Sequence, residues 1–273
     1  MKVTVIFTCF NRKEKTLKCI KSLENKNPEI EFLFIVVDDN STDGTREAIQ
    51  DLNSNVRIIR GTGSLYWAGG MRKGIKEYFE GYSDSQYALL VNDDVEFYDG
   101  IVNKLILESK QKNDAVIVGA TCDDSGAFTY GAMKLNVTRK RDLYQHIKPT
   151  ENEVECDTFN CNCVLIPDAT FRKAGNLDEM YTHSLADLDY GFSLRKLGIH
   201  IYSSSEYVGV CNSNSEKGTW KDKTLPRKER LKKKESPKGA PLKEWFYFMR
   251  KNFGIMEAIL YSVSPYMRIL LKR

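Results

Sequence analysis

Three places in this 273-residue sequence set carboxylates close enough to repel: Asp38-Asp39 in VVDDNSTDGT, Asp93-Asp94 in LLVNDDVEF, and Asp187 with Asp189 in ADLDY. Neighbouring acids raise one another's pKa unless a cation or hydrogen-bond donors compensate. A magnesium or manganese ion, held by one or two carboxylates and completed by phosphate oxygens, supplies that compensation and belongs to the chemistry of phosphate-bearing substrates. Blander readings stand beside it. Asp93 and Asp94 taken alone read as a solvated turn, and Ser41, Thr42 and Asp43 as an N-cap before a helix. Asp187 and Asp189 read equally as first-turn acids favoured by a helix dipole. Asp38 and Asp39 fit capping less well, because the helix after them starts several residues later.

These acids follow or flank elements that must position them. Residues 3–8, 32–37, 56–59 and 87–91 read as short apolar strands, and 12–23, 45–52 and 69–79 as the helices between them. Such β-α repeats predict a parallel sheet covered on both faces. Open sheets of this kind bind ligands beyond the carboxyl ends of their strands. By that rule Thr8 to Arg12, Asp38 to Thr45 and Asn92-Asp93-Asp94 share one edge.

The series TCFNR, VVDDNSTDGT, a Gly-rich helix entry and NDD, in that order, resembles the nucleotide-sugar-binding half of the family 2 glycosyltransferases, which have the GT-A fold. The resemblance runs from residue 1 to about residue 210. It implies an α/β fold with a Rossmann-like, mostly parallel sheet. Thr8, Phe10 and Arg12 would lie near the base or ribose, and Asp39 would accept from the pyrimidine nitrogen. Asp93 would approach the ribose or sugar, and Asp94 would ligate the divalent cation, Mg²⁺ or Mn²⁺. In the third strand exit, GTGSLYWAGGMRKGI, Met71 and Arg72 stand where the family's commonest form has an Arg-Asn pair. Gly69 and Gly70 let backbone approach a phosphate or sugar closely, and Arg72 faces either the diphosphate or solvent. Tyr66 and Trp67 resemble the aromatic W-x-G-G form of bacterial surface-polysaccharide transferases, rhamnosyltransferases included, which sets Trp67 on the acceptor side. Core packing under the loop is the equal alternative for that pair.

Further on, residues 161–167 read as an apolar strand, and GNLDEMYTHSLADLDYGFSLRKLGIHIY resembles the family's acceptor motif, E-D-x-D-(aromatic)…R-x-x-G. The resemblance makes Asp187 the general base, Asp189 the second acid on the acceptor side and Arg195 one of its frequent arginines. Ala186 replaces the usual first Glu. His183 either touches the acceptor or the metal or is a structural or solvent-facing residue, and Phe192 and Leu197 are expected to point inward from the helix. Many family members carry a later His at the metal or phosphate. Residues 206–214 contain none, so Asp94 and substrate oxygens are expected to suffice. The implied reaction is inverting transfer of a hexosyl or deoxyhexosyl group from a UDP- or dTDP-sugar to a glycan or lipid-linked glycan.

Bulk properties bound these readings. With 41% hydrophobic and 29% charged residues the chain belongs with soluble globular proteins. Its seven cysteines, odd in number and without paired spacing, fit reduced thiols in the cytoplasm. The N-terminus lacks the pattern of a secretory signal, and no apolar run approaches the ~18 residues of a membrane span. Residues 217–273 hold 16 Lys and Arg against 5 Asp and Glu, a balance of +11, whereas the rest holds 25 against 32, or −7. Three parts are therefore expected: a donor half over 1–100, an acceptor half over 101–216, and a basic loop with a helical extension over 217–273. Residues 217–238 have the composition of a mobile loop, either solvated or able to close on the diphosphate through Trp220, Arg227 or Lys228. Residues 243–273 are expected to pack on the domain, with contact to the inner face of an anionic membrane as an added expectation. No nucleic-acid module accompanies the basic charge. A sugar nucleotidyltransferase would need a Gly-rich basic loop after the first strand, which TCFNRKEK lacks. A non-catalytic glycan or nucleotide-sugar binder would need neither Asp94 nor Asp187.

Overall fold

The computed structural model describes residues 1–52, 54–82, 84–136 and 143–271. The first half runs β1 (Lys2–Cys9), α1 (Lys13–Lys26), β2 (Glu31–Asp38), α2 (Thr45–Gln50), β3 (Val56–Arg60), α3 (Tyr66–Glu77), β4 (Tyr87–Val91), β5 (Glu96–Phe97) and α4 (Ile101–Gln111). It continues through β6 (Val116–Cys122), β7 (Phe128–Tyr130), β8 (Ala132–Leu135), β9 (Tyr144–His146), β10 (Thr158–Phe159), β11 (Cys163–Pro167), α5 (Asp168–Ala174), α6 (Ala186–Lys196) and β12 (Ile201–Val210). Three helices follow, α7 (Arg227–Lys234), α8 (Leu242–Phe253) and α9 (Ile255–Leu270). Residues 217–238 thus include a helix as well as loop.

One large sheet takes the order β3-β2-β1-β4-β11-β6-β12-β5, with β7 beside β6; β10, β8 and β9 form a smaller sheet. Alternate residues of each apolar strand feed opposite cores. In β1, Val5 and Phe7 pack with Ile20 and Leu23 of α1, while Ile6 packs with Met71 and Ile75 of α3. The strands β3, β2, β1 and β4 are mutually parallel, so their carboxyl ends share an edge. β11 enters antiparallel between β4 and β6, pairing Cys163 with Val91. Its first residues therefore arrive at the edge where β4 ends.

α3 lies close on β1 because glycines face the strand. A Cβ on Gly74 would sit 2.8 Å from Ile6 Cγ2, and one on Gly70 would run into the Thr8 side chain. Gly70 therefore serves helix-to-strand packing rather than approach to a phosphate, and a Cβ on Gly69 would meet Leu65 at 3.3 Å. In α6, Phe192 is buried as expected, but Leu197, which caps the helix, is 43% exposed.

The C-terminal helices are bonded to the second half. Lys251 Nζ donates to Asp178 Oδ2 at 2.8 Å and Asp189 Oδ2 at 2.6 Å, and Asn252 Nδ2 donates to Asp189 Oδ1 at 2.8 Å. Glu244 accepts from the Thr182 hydroxyl at 2.7 Å and its N–H at 3.2 Å. Pro265 inside α9 offers no N–H to the Tyr261 carbonyl, and Trp245 Nε1 donates to that oxygen instead, at 3.2 Å. All seven cysteines are buried and unpaired. Among the described residues no helix is long and apolar enough to cross a membrane.

Candidate active site

The loops beyond β1 and β2 are knitted together by their own polar residues. Asn11, in a left-handed conformation (φ +51°), accepts from Thr42 N at 2.8 Å, and its N–H donates to Ser41 Oγ at 2.9 Å. Asp43 accepts from Lys13 N and Thr45 N, each at 3.1 Å, so it does serve the start of α2. Asp38 is fully buried, paired with Arg46 at 2.5 Å and accepting from Ser41 N at 3.0 Å. Asp39 reaches across to the loop before α3, accepting from Gly63 N at 2.7 Å, Leu65 N at 2.9 Å and Tyr66 N at 3.2 Å. Both acids fix loops, then. Asp39 caps a helix after all, but α3 rather than α2, and it retains one lone-pair direction of the roughly four a carboxylate offers. Phe10 projects from this edge, 50% exposed.

At the centre, one guanidinium nitrogen joins the adjacent acids: Arg12 Nη1 donates to Asp93 Oδ1 at 2.9 Å and Asp94 Oδ2 at 3.0 Å. Thr16 Oγ1 adds a bond to Asp93 at 3.2 Å, and Lys15 Nζ stands 3.9 Å from Asp94. Asp93 is 4% exposed, and burial pushes its carboxyl up to about 6; Arg12 opposes the rise and Asp94 adds to it. Beside them lies an open depression of about 430 Å³ lined by Asn11, Arg12, Lys13, Glu14, Lys15 and Asp43. Three cations, Arg12, Lys13 and Lys15, stand there against two acids.

A hydrogen-bonded path leads from this centre to the other acids. Asn92 accepts from Trp67 Nε1 at 2.8 Å, and Trp67 N donates to His183 Nδ1 at 3.3 Å. Burial, then Lys238 and Arg12, lower the His183 pKa to about 4, so the ring is neutral at pH 7. With Nδ1 accepting, its proton sits on Nε2. Asn92 N donates to the Asn162 carbonyl at 3.2 Å, and one residue earlier Cys161 N donates to Asp187 at 3.4 Å. Asp187 also accepts from Leu188 N at 2.9 Å and from the Asn160 side chain. Burial raises its pKa, against those donors.

Phe10, Arg12, Asp39, Trp67, Asp93, Asp94, His183 and Asp187 thus lie at or beside one sheet edge, whereas Thr8, at the end of β1, gives its hydroxyl to the Val37 carbonyl at 2.9 Å and packs under Gly70. Three expected residues are engaged elsewhere. Asp189 is buried against Lys251 and Asn252, because consecutive odd positions on a helix diverge by about 200°. Arg72 Nη1 donates to the carbonyls of Tyr181 at 2.7 Å and Asp178 at 3.2 Å, which spends it on holding the loop before His183. Arg195 pairs with Asp157 at 2.8 Å. Three residues at the centre escaped the sequence reading. Cys211, just beyond β12, donates its thiol to Asp94 at 3.6 Å and receives Asn162 Nδ2 at 3.4 Å, and burial followed by Asp94 lifts it to about 12. It lies in the 206–214 segment, where many family members carry a His and this chain has none. Asn162 and Thr16 looked like ordinary strand and helix residues.

For a divalent cation the donors are hard oxygens. Among the described residues no three His, Cys, Asp or Glu side chains form a ready cage. The adjacent Asp93 and Asp94, compensated here by Arg12, fit Mg²⁺ or Mn²⁺, which take one or two carboxylates and complete their shells with phosphate oxygens.

Known proteins resemble this arrangement. A dolichol-phosphate mannosyltransferase of Pyrococcus furiosus is 28% identical over 119 residues, 43% of this chain and 32% of its own length, so the chain spans about a third of the curated relative it matches. A mannosyltransferase from Pyrobaculum calidifontis, solved with GDP-Man and Mn²⁺, superposes with a TM-score of 0.58 at 14% identity over 99% of this chain and 73% of that one. TarS of S. aureus, residues 1–349, gives 0.58 at 14% identity over 98% and 81%. These likenesses place the fold as GT-A. The sequence profile of Glycosyl transferase family 2 matches residues 4–170, more than half of the sequence, and the chain therefore belongs to glycosyl transferase family 2.

Proposed function

We propose that this protein transfers a sugar from a nucleotide diphosphate donor to an acceptor hydroxyl with inversion, the donor carrying UDP or dTDP and the acceptor being a surface glycan or its lipid-linked precursor. Family membership supports sugar transfer. The observation that carries the mechanism is the bonded path from the Asp93-Arg12-Asp94 cluster, through Asn92 and Asn162, to the backbone that holds Asp187.

In this reading Phe10 stacks on the base, with Thr8 and Asp39 nearby, and Asp93 positions the ribose or sugar. Asp94 holds the divalent cation, as the Mn²⁺ complex of the Pyrobaculum relative supports. That cation, when bound, supplies positive charge for the departing diphosphate. Arg12 and Lys15 add to the same stabilisation. Asp187 accepts the proton of the acceptor hydroxyl, for which its raised pKa suits it. The hydroxyl oxygen forms its bond to the anomeric carbon as the carbon–oxygen bond to the diphosphate breaks, and the electron pair leaves on the phosphate oxygen. A single displacement inverts the centre. His183, neutral with its proton on Nε2, and Trp67 form the acceptor wall.

The test is nucleotide release and product formation from UDP-, dTDP- and GDP-sugars with Mn²⁺ or Mg²⁺. Turnover is expected with one donor class, with loss on Asp94→Ala and a fall of about 10²- to 10⁴-fold on Asp187→Asn. A product with retained configuration by proton NMR would remove Asp187 from its role as base. Failure of every nucleotide sugar to bind would end the reading.

A further inference from the structure

An ordinary amphipathic helix buries its apolar stripe and shows polar residues to water. α9 does something else. Ala258, Ser262 and Ile269 are buried, yet Ile255, Met256, Ile259, Leu260, Val263 and Met267 are between 44% and 70% exposed. At about 100° per residue these six fall within an arc of about 140°, beside the buried stripe and separate from it. A continuous apolar face of that kind marks an interaction surface.

Charge selects the occupant. Glu257 is the one acid in the α9 sequence, whereas the segment from 217 onward has a balance of +11. α7, which packs against α9, presents Lys228 and Lys232 as exposed cations; Lys243 and Arg250 of α8 and Arg268 of α9 are exposed too. A second copy of the chain docking there by a twofold axis would bring two such basic segments together, where like charges repel. An anionic bilayer satisfies both features at once: its acyl boundary takes the apolar face, and its headgroups attract the cations. No described helix can cross a membrane, so the contact lies in the surface plane.

We propose that α9, together with the exposed cations of α7 and α8, seats the protein on an anionic lipid surface. The seat is joined rigidly to the candidate active site. Glu244 of α8 holds Thr182, the neighbour of His183, and Lys251 and Asn252 hold Asp189, two residues from Asp187. Docking through α9 therefore holds the acceptor side of the site at a fixed place relative to the bilayer. Lipid docking through α9 requires no transfer chemistry.

Flotation of the full chain with vesicles of phosphatidylcholine, with and without about 30 mol% phosphatidylglycerol, tests it. Wild type is expected to float with the anionic vesicles only and to be released at high salt. Leu260→Glu with Val263→Glu, both at exposed positions, should keep the thermal melt and lose about a hundredfold in partitioning. Three results would overturn the proposal: wild type that ignores anionic vesicles, a double variant that binds as well as wild type, or a wild-type dimer that the double variant converts to monomer.

Discussion

Replacing Asp93 by Asn removes a charge that the fold ionises against its own burial. The carboxyl is 4% exposed, and its folded pKa stands at about 6 against an ordinary 3.8. The raised value means that the folded state holds this proton more tightly than the unfolded chain does. The associated stability is present in full below the ordinary value and is lost as pH rises through the folded one. The difference of roughly two pKa units corresponds to about 3 kcal/mol forgone at pH 7. At about 2.1 cal/mol/K of unfolding entropy per residue, that is about 5 °C in Tm for a chain of this length. Asn keeps an oxygen for Arg12 and has no charge to desolvate. Melts in a chelating buffer from pH 4 to pH 8 should therefore show Asp93→Asn gaining on wild type by about 5 °C across the range, mostly between pH 4 and 6, while transfer activity falls. A gap that stays constant with pH, or that widens in favour of wild type at pH 7, would refute the account of Asp93 as a destabilising charge kept for function.

Three further outcomes follow from single contacts. Lys251→Met leaves the buried Asp189 without its bonded cation, and should cost about 3 kcal/mol or more; adding Asp189→Asn should recover part of it in the same urea titration. Gly70→Ala forces a methyl into Thr8 and should cost about 1–3 kcal/mol; Thr8→Ala in the same chain should restore only part of it, because the Thr8 Cβ itself would stand 2.6 Å from the added methyl. His183 titrates at about 4 when folded, below its ordinary 6.5, so its contribution is intact above pH 6.5 and is lost as pH falls towards 4; His183→Gln should flatten that part of the stability profile.

The donor-side edge was legible because its signal is local. Each apolar run of β1, β2 and β4 stops at a polar group, and parallel connection by helices forces those stops to one side. The direction of β11 was not legible, since CVLIP reads alike in either orientation and its pairing is decided by the path of the chain before it. Asp39 was open to misreading because its donors come from residues 63–66, far from any local capping pattern. Asp189 meets Lys251 across 62 residues, and no spacing rule links them. Asn92 precedes the two acids without a charge of its own. In the fold its amide oxygen is what Trp67 needs, and a carboxylate there would have set a third charge against Asp93 and Asp94.

The two kinds of support around the site have different stiffness. Asp93 and Asp94 follow directly from β4, and Asp187 is held by the residues just before β11, two strands paired backbone to backbone from Val91 and Cys163 onward. Sheet hydrogen bonds therefore fix the spacing between the Asp93-Asp94 pair and Asp187, a rigidity that suits groups to be placed within a fraction of an ångström. Trp67 and His183 are held by single side-chain bonds, in a segment where Tyr66 and Leu185 both adopt left-handed backbone conformations. Strain of that sort persists where surrounding contacts impose it and yields when they change. Under the proposed reading, the displacement chemistry rests on the rigid pair of strands. Discrimination among acceptors falls to the Trp67-His183 wall, where a changed side chain can be accommodated without moving Asp94 away from Asp187.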